Sequence, residues 1–216
     1  MFRENFEIEL SQLHDDIIAM GNYVNNAIKD AVLAYSTHDV ELGKTVMAND
    51  KVVNDMEKKI ESKCLWLIAR EQPVASDLRS ITTALKIITD MERIGDHAVD
   101  IAELALHISE DSTFADFSKV IEMSDAAIAM VRGAVKAYVN TDLEYAKTAE
   151  KADDIVDNFF KEIKNSIRDT AINEESDMDG ALNVFLIAKY LERIADHAVN
   201  ICEWLLFSET GEHYKG

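Results

Sequence analysis

Acidic side chains at matching positions of two similar segments are the residues of this chain best suited to chemistry. One segment runs from Asp90 to Glu103 and the other from Tyr190 to Glu203. A segment of this length that returns with the same chemistry indicates an internal duplication. Three acids recur at the same spacing, as Glu92, Asp96 and Glu103 in the first segment and as Glu192, Asp196 and Glu203 in the second.

On a helix, these acids would lie in a line beside the buried face rather than scattered over the exposed surface. With about 3.6 residues per turn, Met91, Gly95 and Ala98 fall on one apolar face. Glu92 and Asp96 lie along the edge of that face, and Asp100 lies further towards solvent. A neighbouring helix packed on the apolar face could therefore bring more ligands towards the acids.

A second pair of helices supplies acids at the corresponding places. Asp50 and Asn54 lie four residues apart beside an apolar seam, and Asp153 and Asp157 repeat them 103 residues later. Side chains at this spacing are about 5–6 Å apart at Cβ, close enough to bind one cation or bridge two. Oxygen-rich sets suit Mg²⁺ and Mn²⁺, and carboxylate clusters also suit iron. The candidate metal ligands are Asp50, Asn54, Glu92, Asp96, Asp100, Asp153, Asp157, Glu192, Asp196 and Asn200.

The alternative for any one acid pair is an ordinary solvated helix surface, and only the repetition of the pairs in register favours metal binding. His97 and His197 lie on the opposite flank from Glu92 and Glu192, so we expect them to pack at a helix interface. Arg93 and Arg193 are expected to form ion pairs across helices. The sequence contains no Ser-His-Asp or Cys-His arrangement and no glycine-rich phosphate loop, so we do not predict an enzyme.

The composition is that of a folded protein that does not bind nucleic acid. Of the 216 residues, 48% are hydrophobic and 29% are charged. The net charge of −19 would repel a phosphate backbone. The sequence shows neither a long apolar run nor a signal-peptide pattern, which predicts a cytoplasmic protein without membrane insertion. Cys64 and Cys202 lie at seam positions and do not indicate a disulfide.

One proline and seven glycines leave few helix breakers, so the sequence predicts an all-α fold with six long helices. Pro73 is expected in the first turn of the third helix, and Thr113 and Thr141 are expected to cap the fourth and fifth. The predicted architecture is two tandem three-helix bundles related by internal duplication, residues 1–110 and 111–216. The six helices are predicted over residues 2–36, 40–70, 73–108, 113–139, 141–171 and 181–207.

Residues 92–103, which read Glu-Arg-Ile-Gly-Asp-His-Ala-Val-Asp-Ile-Ala-Glu, closely resemble the PhoU family of phosphate-transport regulators. The resemblance extends to Gln72-Pro73, to Asp77-Leu78-Arg79 and to the helices of Asp50 and Asp153. It implies metal sites that often hold multinuclear iron or zinc, in a cytoplasmic and usually homodimeric protein. It also implies negative regulation of the phosphate regulon, through the ATPase subunit of the phosphate ABC transporter and a sensor histidine kinase.

The chain departs from the family pattern at two of the candidate ligands. Asn54 and Asn200 stand where the motif has an acid, so each half offers one neutral oxygen ligand in place of a charged one. Three alternatives to the adaptor role stay open. They are a carboxylate-cluster metalloenzyme, an accessory protein of another phosphate transporter, and a structural adaptor that binds no metal.

Overall fold

The computed structural model of the chain describes residues 2–108, 118–173 and 177–212, and these ranges contain helices and no strand. The all-α prediction is therefore confirmed. The predicted second and fifth helices are each divided into two segments, which gives eight helical segments in the described residues. They are α1 (Phe2–Thr37), α2 (Val40–Ala48), α3 (Asp50–Glu71), α4 (Ser76–Ala105), α5 (Ser118–Asn140), α6 (Leu143–Ala146), α7 (Ala149–Asn173) and α8 (Met178–Thr210).

The helix starts confirm the duplication in atomic detail. α2 begins after Asp39, whose carboxylate accepts a hydrogen bond of 3.0 Å from the N–H of Leu42. α6 begins after Asp142, whose carboxylate accepts one of 3.0 Å from the N–H of Tyr145. The residue before each cap has a left-handed backbone with φ of 53°. The cap of the fifth helix is therefore Asp142 rather than the expected Thr141, because the aspartate is the residue that reaches an unpaired N–H.

The start of α4 differs from the prediction. α3 ends at Gln72, which has a left-handed backbone, and α4 begins at Ser76. Pro73 therefore lies in the connection and not in the first helical turn. A proline disfavours the helical conformation of the residue before it, so α3 cannot continue through Gln72, which closes the helix in the left-handed conformation common at helix C-termini. The start of α4 is fixed instead by Arg79, whose Nε donates to the carbonyl oxygen of Ser208 at 2.9 Å.

The two halves pack side by side, with the last helix of one half against the last helix of the other and the first helix against the first. α4 and α8 run antiparallel and share the most extensive interface, and α1 and α5 pack against them and against each other. α3 packs on α1 and α4, and α7 packs on α5 and α8, so each half is a three-helix bundle. The proposed boundary between residues 110 and 111 and the expected cap at Thr113 lie outside the described residues.

The apolar seams lie where the periodicity predicts them. Met91, Ala98 and Ala102 are fully buried, as are Cys64 and, almost completely, Cys202, both of which are free thiols. A Cβ added at Gly95 would meet Cγ1 of Val53 at 3.0 Å, so Gly95 allows α3 and α4 to approach closely. No helix among the described residues has the length and apolarity needed to cross a membrane.

We expect Gly95→Leu to lower the free energy of unfolding by about 1–3 kcal/mol, because the added side chain must displace Val53 from the α3–α4 contact. Urea denaturation followed by circular dichroism measures this change. Thr82→Leu is the matched control, since Thr82 is exposed on the same helix and its duplicate, Leu182, is already an exposed leucine. An equal loss in both variants would contradict a special role for the glycine.

Candidate metal centres

The first candidate centre is a wall of half-buried acids where α3 meets α4. Asp50 and Asn54 come from α3, and Glu92 and Asp96 come from α4. The contact of Val53 with Gly95 lies between the two pairs and holds the helices together. The pKa of Glu92 is raised, first by burial and then by the charge of Asp96, with Arg93 acting in the opposite direction. Glu57 and Asp50 of the facing helix α3 raise it further, so the helix pair brings like charges together, as a cation site requires.

Glu57 belongs to the same wall and was missed in the sequence. Its pKa is raised, first by burial and then by Glu61, with a smaller contribution from Asp96 across the helix pair. The pKa of Asp96 is raised by burial and by Asp50, and Arg93 opposes the shift. Glu57 lies seven residues after Asp50, which places both on one helix face. This spacing is the signal that could have identified it.

The second candidate centre is the corresponding wall between α7 and α8. Burial, followed by the charges of Asp196, Asp157 and Glu192, raises the pKa of Asp153 to about 6. The Oδ1 atom of Asp153 is buried and accepts no hydrogen bond from the described residues. An unpaired buried carboxylate oxygen is costly, and a bound cation would satisfy it. The residues present therefore fit a hard or borderline metal ion.

The two walls differ at three duplicated positions, and at one of these Asp157 stands where the first half has Asn54. Phe160 stands where the first half has Glu57, and Lys189 stands where it has Thr89. Lys189 forms an ion pair with Glu192, and its Nζ lies 5.5 Å from the centre of the Phe160 ring. Each wall thus has four carboxylates, but only the second wall has a lysine paired with one of them. We expect it to bind a metal ion more weakly than the first wall.

The arginines pair along their own helices. Arg93 lies 3.2 Å from Asp96 and 3.5 Å from Glu92, and Arg193 lies 3.9 Å from Asp196. The prediction of pairs across helices is therefore wrong. Residues three apart on a helix already face each other, so the nearer partner is on the same helix. These exposed pairs contribute little to stability, and a metal ion could displace them.

Asp100 and Asn200 make their contacts along the interface of α4 with α8. Asp100 Oδ2 lies 3.3 Å from Nδ1 of His97, and Asn200 Nδ2 donates to Oδ1 of Asp90 at 3.1 Å. His197 Nδ1 is 2.8 Å from the same Asp90 oxygen, and the two histidine rings are 5.7 Å apart. The predicted packing of both histidines at a helix interface is confirmed.

The eight remaining candidates stay on the walls, with Asn54 donating to Asp50 at 2.8 Å. In the part of the chain that the structure describes, no three His, Cys, Asp or Glu side chains converge into a ready-made ligand set. Like charges without a cation favour separate orientations towards arginine, lysine and water. The assignment of these residues as metal ligands stays a prediction.

Comparison with known proteins assigns this architecture to a family. The family model of the PhoU domain matches the chain twice, at residues 17–105 and 120–205. The chain belongs to the PhoU family. The two matched PhoU regions correspond to the two three-helix bundles, which confirms the tandem duplication.

Relatives and solved structures cover nearly the whole chain. The phosphate-specific transport system accessory protein PhoU homolog of Clostridium acetobutylicum is 35% identical over 98% of this chain and 97% of its own length. PhoU homolog 1 of Thermotoga maritima is 34% identical over 98% of this chain and 91% of its own. The crystal structure of PhoU from Pseudomonas aeruginosa has a TM-score of 0.89 at 31% identity, covering 96% of this chain and all of that one.

The raised pKa of Asp153 makes the stability of the metal-free PhoU-family chain depend on pH. The unfolded carboxyl has a pKa of 3.8 and the folded one about 6, so between these values the folded state holds more protons. The free energy of unfolding therefore falls as pH rises through this window. We expect Asp153→Asn to exceed wild type in stability at pH 8 by about 1 kcal/mol, allowing for solvent screening, with no such gain below pH 4.

Denaturation of both proteins with a chelator present, from about pH 3.5 to pH 8, measures the difference. Glu150→Gln is the control, since Glu150 is an exposed carboxylate near the start of the same helix. A constant difference between Asp153→Asn and wild type at all pH values would contradict the assignment to the Asp153 charge.

Proposed function

We propose that the chain is a metal-binding regulatory adaptor of phosphate uptake and phosphate-starvation signalling. The observation that carries this proposal is the similarity to phosphate-specific transport system accessory proteins over almost the full length of both chains. The structure of the Streptococcus pneumoniae phosphate transport system regulatory protein PhoU matches with a TM-score of 0.90, at 27% identity and over 98% of this chain. Similarity of this extent leaves little of the chain for a separate activity.

In this proposal, each acidic wall holds a metal ion. Asp50, Asn54, Glu57, Glu92 and Asp96 would hold one in the first half, and Asp153, Asp157, Glu192 and Asp196 would hold one in the second. Iron or zinc is favoured by the family resemblance, while Mg²⁺ or Mn²⁺ would also suit an all-oxygen set. Bound metal would neutralise the repelling carboxylates and so stabilise each pair of helices.

The proposed partners are the ATPase subunit of the phosphate ABC transporter and a sensor histidine kinase, in the cytoplasm. The chain would hold phosphate-regulon expression low when phosphate is plentiful, and would work as a homodimer. In this role it changes the activity of its partners and has no substrate of its own. An accessory role at another phosphate transporter would use the same chain and differ only in the partner bound.

A metalloenzyme is the second candidate, because a small cavity adjoins the first wall. The cavity has a volume of about 130 Å³ and lies between α1, α3 and α4. Tyr23, Asn26 and Asp30 line it opposite Asp50. Turnover of a phosphoester or of oxygen by the metal-loaded chain, absent from a Glu92→Ala/Asp96→Ala variant, would favour this candidate over the adaptor.

The connection between α3 and α4 supports docking of a partner. Gln72 and Ala75 are non-glycine residues with φ of 47°, which is strained backbone of the kind found at functional sites. Val74 lies between them and is 73% exposed. Trp66, near the end of α3, is 41% exposed, and the Arg70 guanidinium lies 4.6 Å from the centre of its ring. We call this surface the α3–α4 tip, consisting of Leu65, Trp66, Val74 and Leu78.

We assign the α3–α4 tip to the transporter ATPase rather than to a second copy of the chain. The net charge of −19 favours a partner with a basic surface at this tip. The apolar tip would fill a groove on that partner, and the surrounding acidic surface would face its basic rim. Exposed aromatic and aliphatic side chains of this kind are typical anchors of protein interfaces.

We expect Val74→Asp to weaken capture of the ATPase subunit by about tenfold or more and to raise phosphate-regulon expression in phosphate-rich medium. Co-purification from cells that express both proteins, together with a reporter gene, measures the two effects. Leu182→Asp is the control, because Leu182 is equally apolar and 53% exposed but lies on α8. A change in oligomeric state instead would assign the tip to the dimer. Unchanged phosphate uptake and transcription after deletion of the chain would overturn the adaptor proposal itself.

Metal content tests the proposal that the acidic walls bind metal ions. We expect Glu92→Ala/Asp96→Ala and Glu192→Ala/Asp196→Ala each to lose the metal of one half, measured by elemental analysis of protein loaded and then dialysed. Glu41→Ala/Glu144→Ala is the charge-matched control, since both acids form exposed pairs with lysines at duplicated positions. Wild type without bound metal would show that the walls are only a docking or solubility surface.

A further inference from the structure

We propose that a groove between α1 and α5 binds a small oxyanion of the phosphate type. The groove is open to solvent on one side, has a volume of about 200 Å³ and is formed by one helix from each half of the chain. Its walls are Ile18 and Gly21 of α1 and Val135 and Val139 of α5. Neither acidic wall contributes to it, so it is separate from the candidate metal centres.

The charge of the groove is opposite to that of the chain. Arg132 and Lys136 lie one turn apart on α5 at its exposed rim, and none of the residues that line it is acidic. The chain as a whole has 41 acidic and 22 basic residues, so a cationic lining free of acids is unusual in it. Among the described residues, neither cation forms an ion pair. Two unpaired cations at this spacing repel each other, and a bound anion would relieve that repulsion.

The lining also contains a buried amide without a partner. Asn25 is only 5% exposed, and its side-chain oxygen accepts no hydrogen bond from the described residues. This oxygen can accept a hydrogen bond from the hydroxyl group of a hydrogen phosphate ion, a donor that a fully ionised carboxylate lacks. Asn22 and Asn140 add two more amides to the lining. Amide and guanidinium N–H donors around a cation pair are suited to an oxyanion.

The duplicated half supplies an internal comparison. At the offset of 103 residues, Asn25 corresponds to Ile128, Lys136 to Leu33 and Asn22 to Asp125. At the corresponding positions, apolar residues therefore replace the amide of Asn25 and the cation of Lys136, and an acid replaces the amide of Asn22. Since the same helix pair folds with either set, packing does not require the polar residues of the groove. They are better explained by a ligand.

The volume limits the ligand to a small one. Pockets that hold drug-sized ligands have volumes of roughly 300–1,000 Å³, and this groove is smaller. A tetrahedral oxyanion, either free inorganic phosphate or the phosphoryl group of a small ester, fits both the volume and the donors. Binding at this groove does not depend on the proposed adaptor function. Only its use as a phosphate signal rests on that function.

Isothermal titration of the full chain with inorganic phosphate, at constant ionic strength, tests the inference. We expect saturable binding at micromolar to millimolar phosphate, weakened at least about tenfold in Arg132→Gln/Lys136→Gln. Lys29→Gln/Lys164→Gln is the control, because it removes two exposed charges from the same chain outside the groove and should leave the affinity unchanged. Asn25→Leu should also weaken binding while it leaves the helical signal and the thermal unfolding midpoint intact or raised.

Several outcomes would overturn the inference. They are the absence of saturable heat in wild type, an equal loss of affinity in both double variants, and phosphate binding that acetate at the same ionic strength reproduces. Titration with vesicles of an anionic phospholipid separates a free ion from a lipid headgroup, and binding to vesicles alone would also overturn it. If the double variant lost phosphate binding but still captured the ATPase as wild type does, the adaptor proposal would stand. Only the use of the groove as a phosphate signal for that partner would be excluded.

Discussion

Like-charged carboxylates held side by side on facing helices are the constraint on which the rest of the structure depends. Burial and mutual repulsion raise the pKa of Glu92, Asp96 and Asp153, so each wall is unfavourable in the absence of a cation. The apolar seam behind the acids must offset this cost. Gly95 contributes by allowing Val53 to pack against the backbone of α4, which sets the distance between the acids of the two helices. Close packing and charge repulsion are therefore two results of the same helix contact.

The interface of α4 with α8 explains one departure of the chain from the family pattern. Oδ1 of Asp90 accepts a hydrogen bond from the side-chain amide of Asn200, and the same oxygen lies 2.8 Å from Nδ1 of His197. An aspartate at position 200 would place a second carboxylate against Asp90, so the amide, which can donate, is the favourable residue. In the other copy, Tyr190 replaces Asp90 and stacks on His97 at 5.3 Å, and Asp100 meets no opposing acid. The neutral residue is thus accounted for by the helix interface and does not by itself indicate a weakened metal site.

Local patterns in the sequence were sufficient for the helices, the duplication, the seams and most of the acidic walls. They were insufficient where a tertiary contact decides the outcome. Residues 45–48 contain neither proline nor glycine, so nothing in them marks the end of α2. Glu57 shares a helix face with Asp50, but only the packing of α4 brings it close to Asp96. The α1–α5 groove was missed for the same reason, since Asn25, Arg132 and Lys136 are ordinary residues until two distant helices bring them together.

The duplication also separates what the chain has twice from what it has once. Both halves contain an acidic wall, whereas only one end of the α1–α5 pair combines two cations with a buried amide. α1 packs on α3 and α4, and α5 packs on α7 and α8, so each helix of the groove packs on the two helices that carry one wall. A ligand bound between α1 and α5 would favour the arrangement of the two halves that it binds more tightly. It could shift the equilibrium between two such arrangements only as far as its affinities for them differ. One groove per chain would then act on two metal centres together, which a ligand bound within either wall could not do.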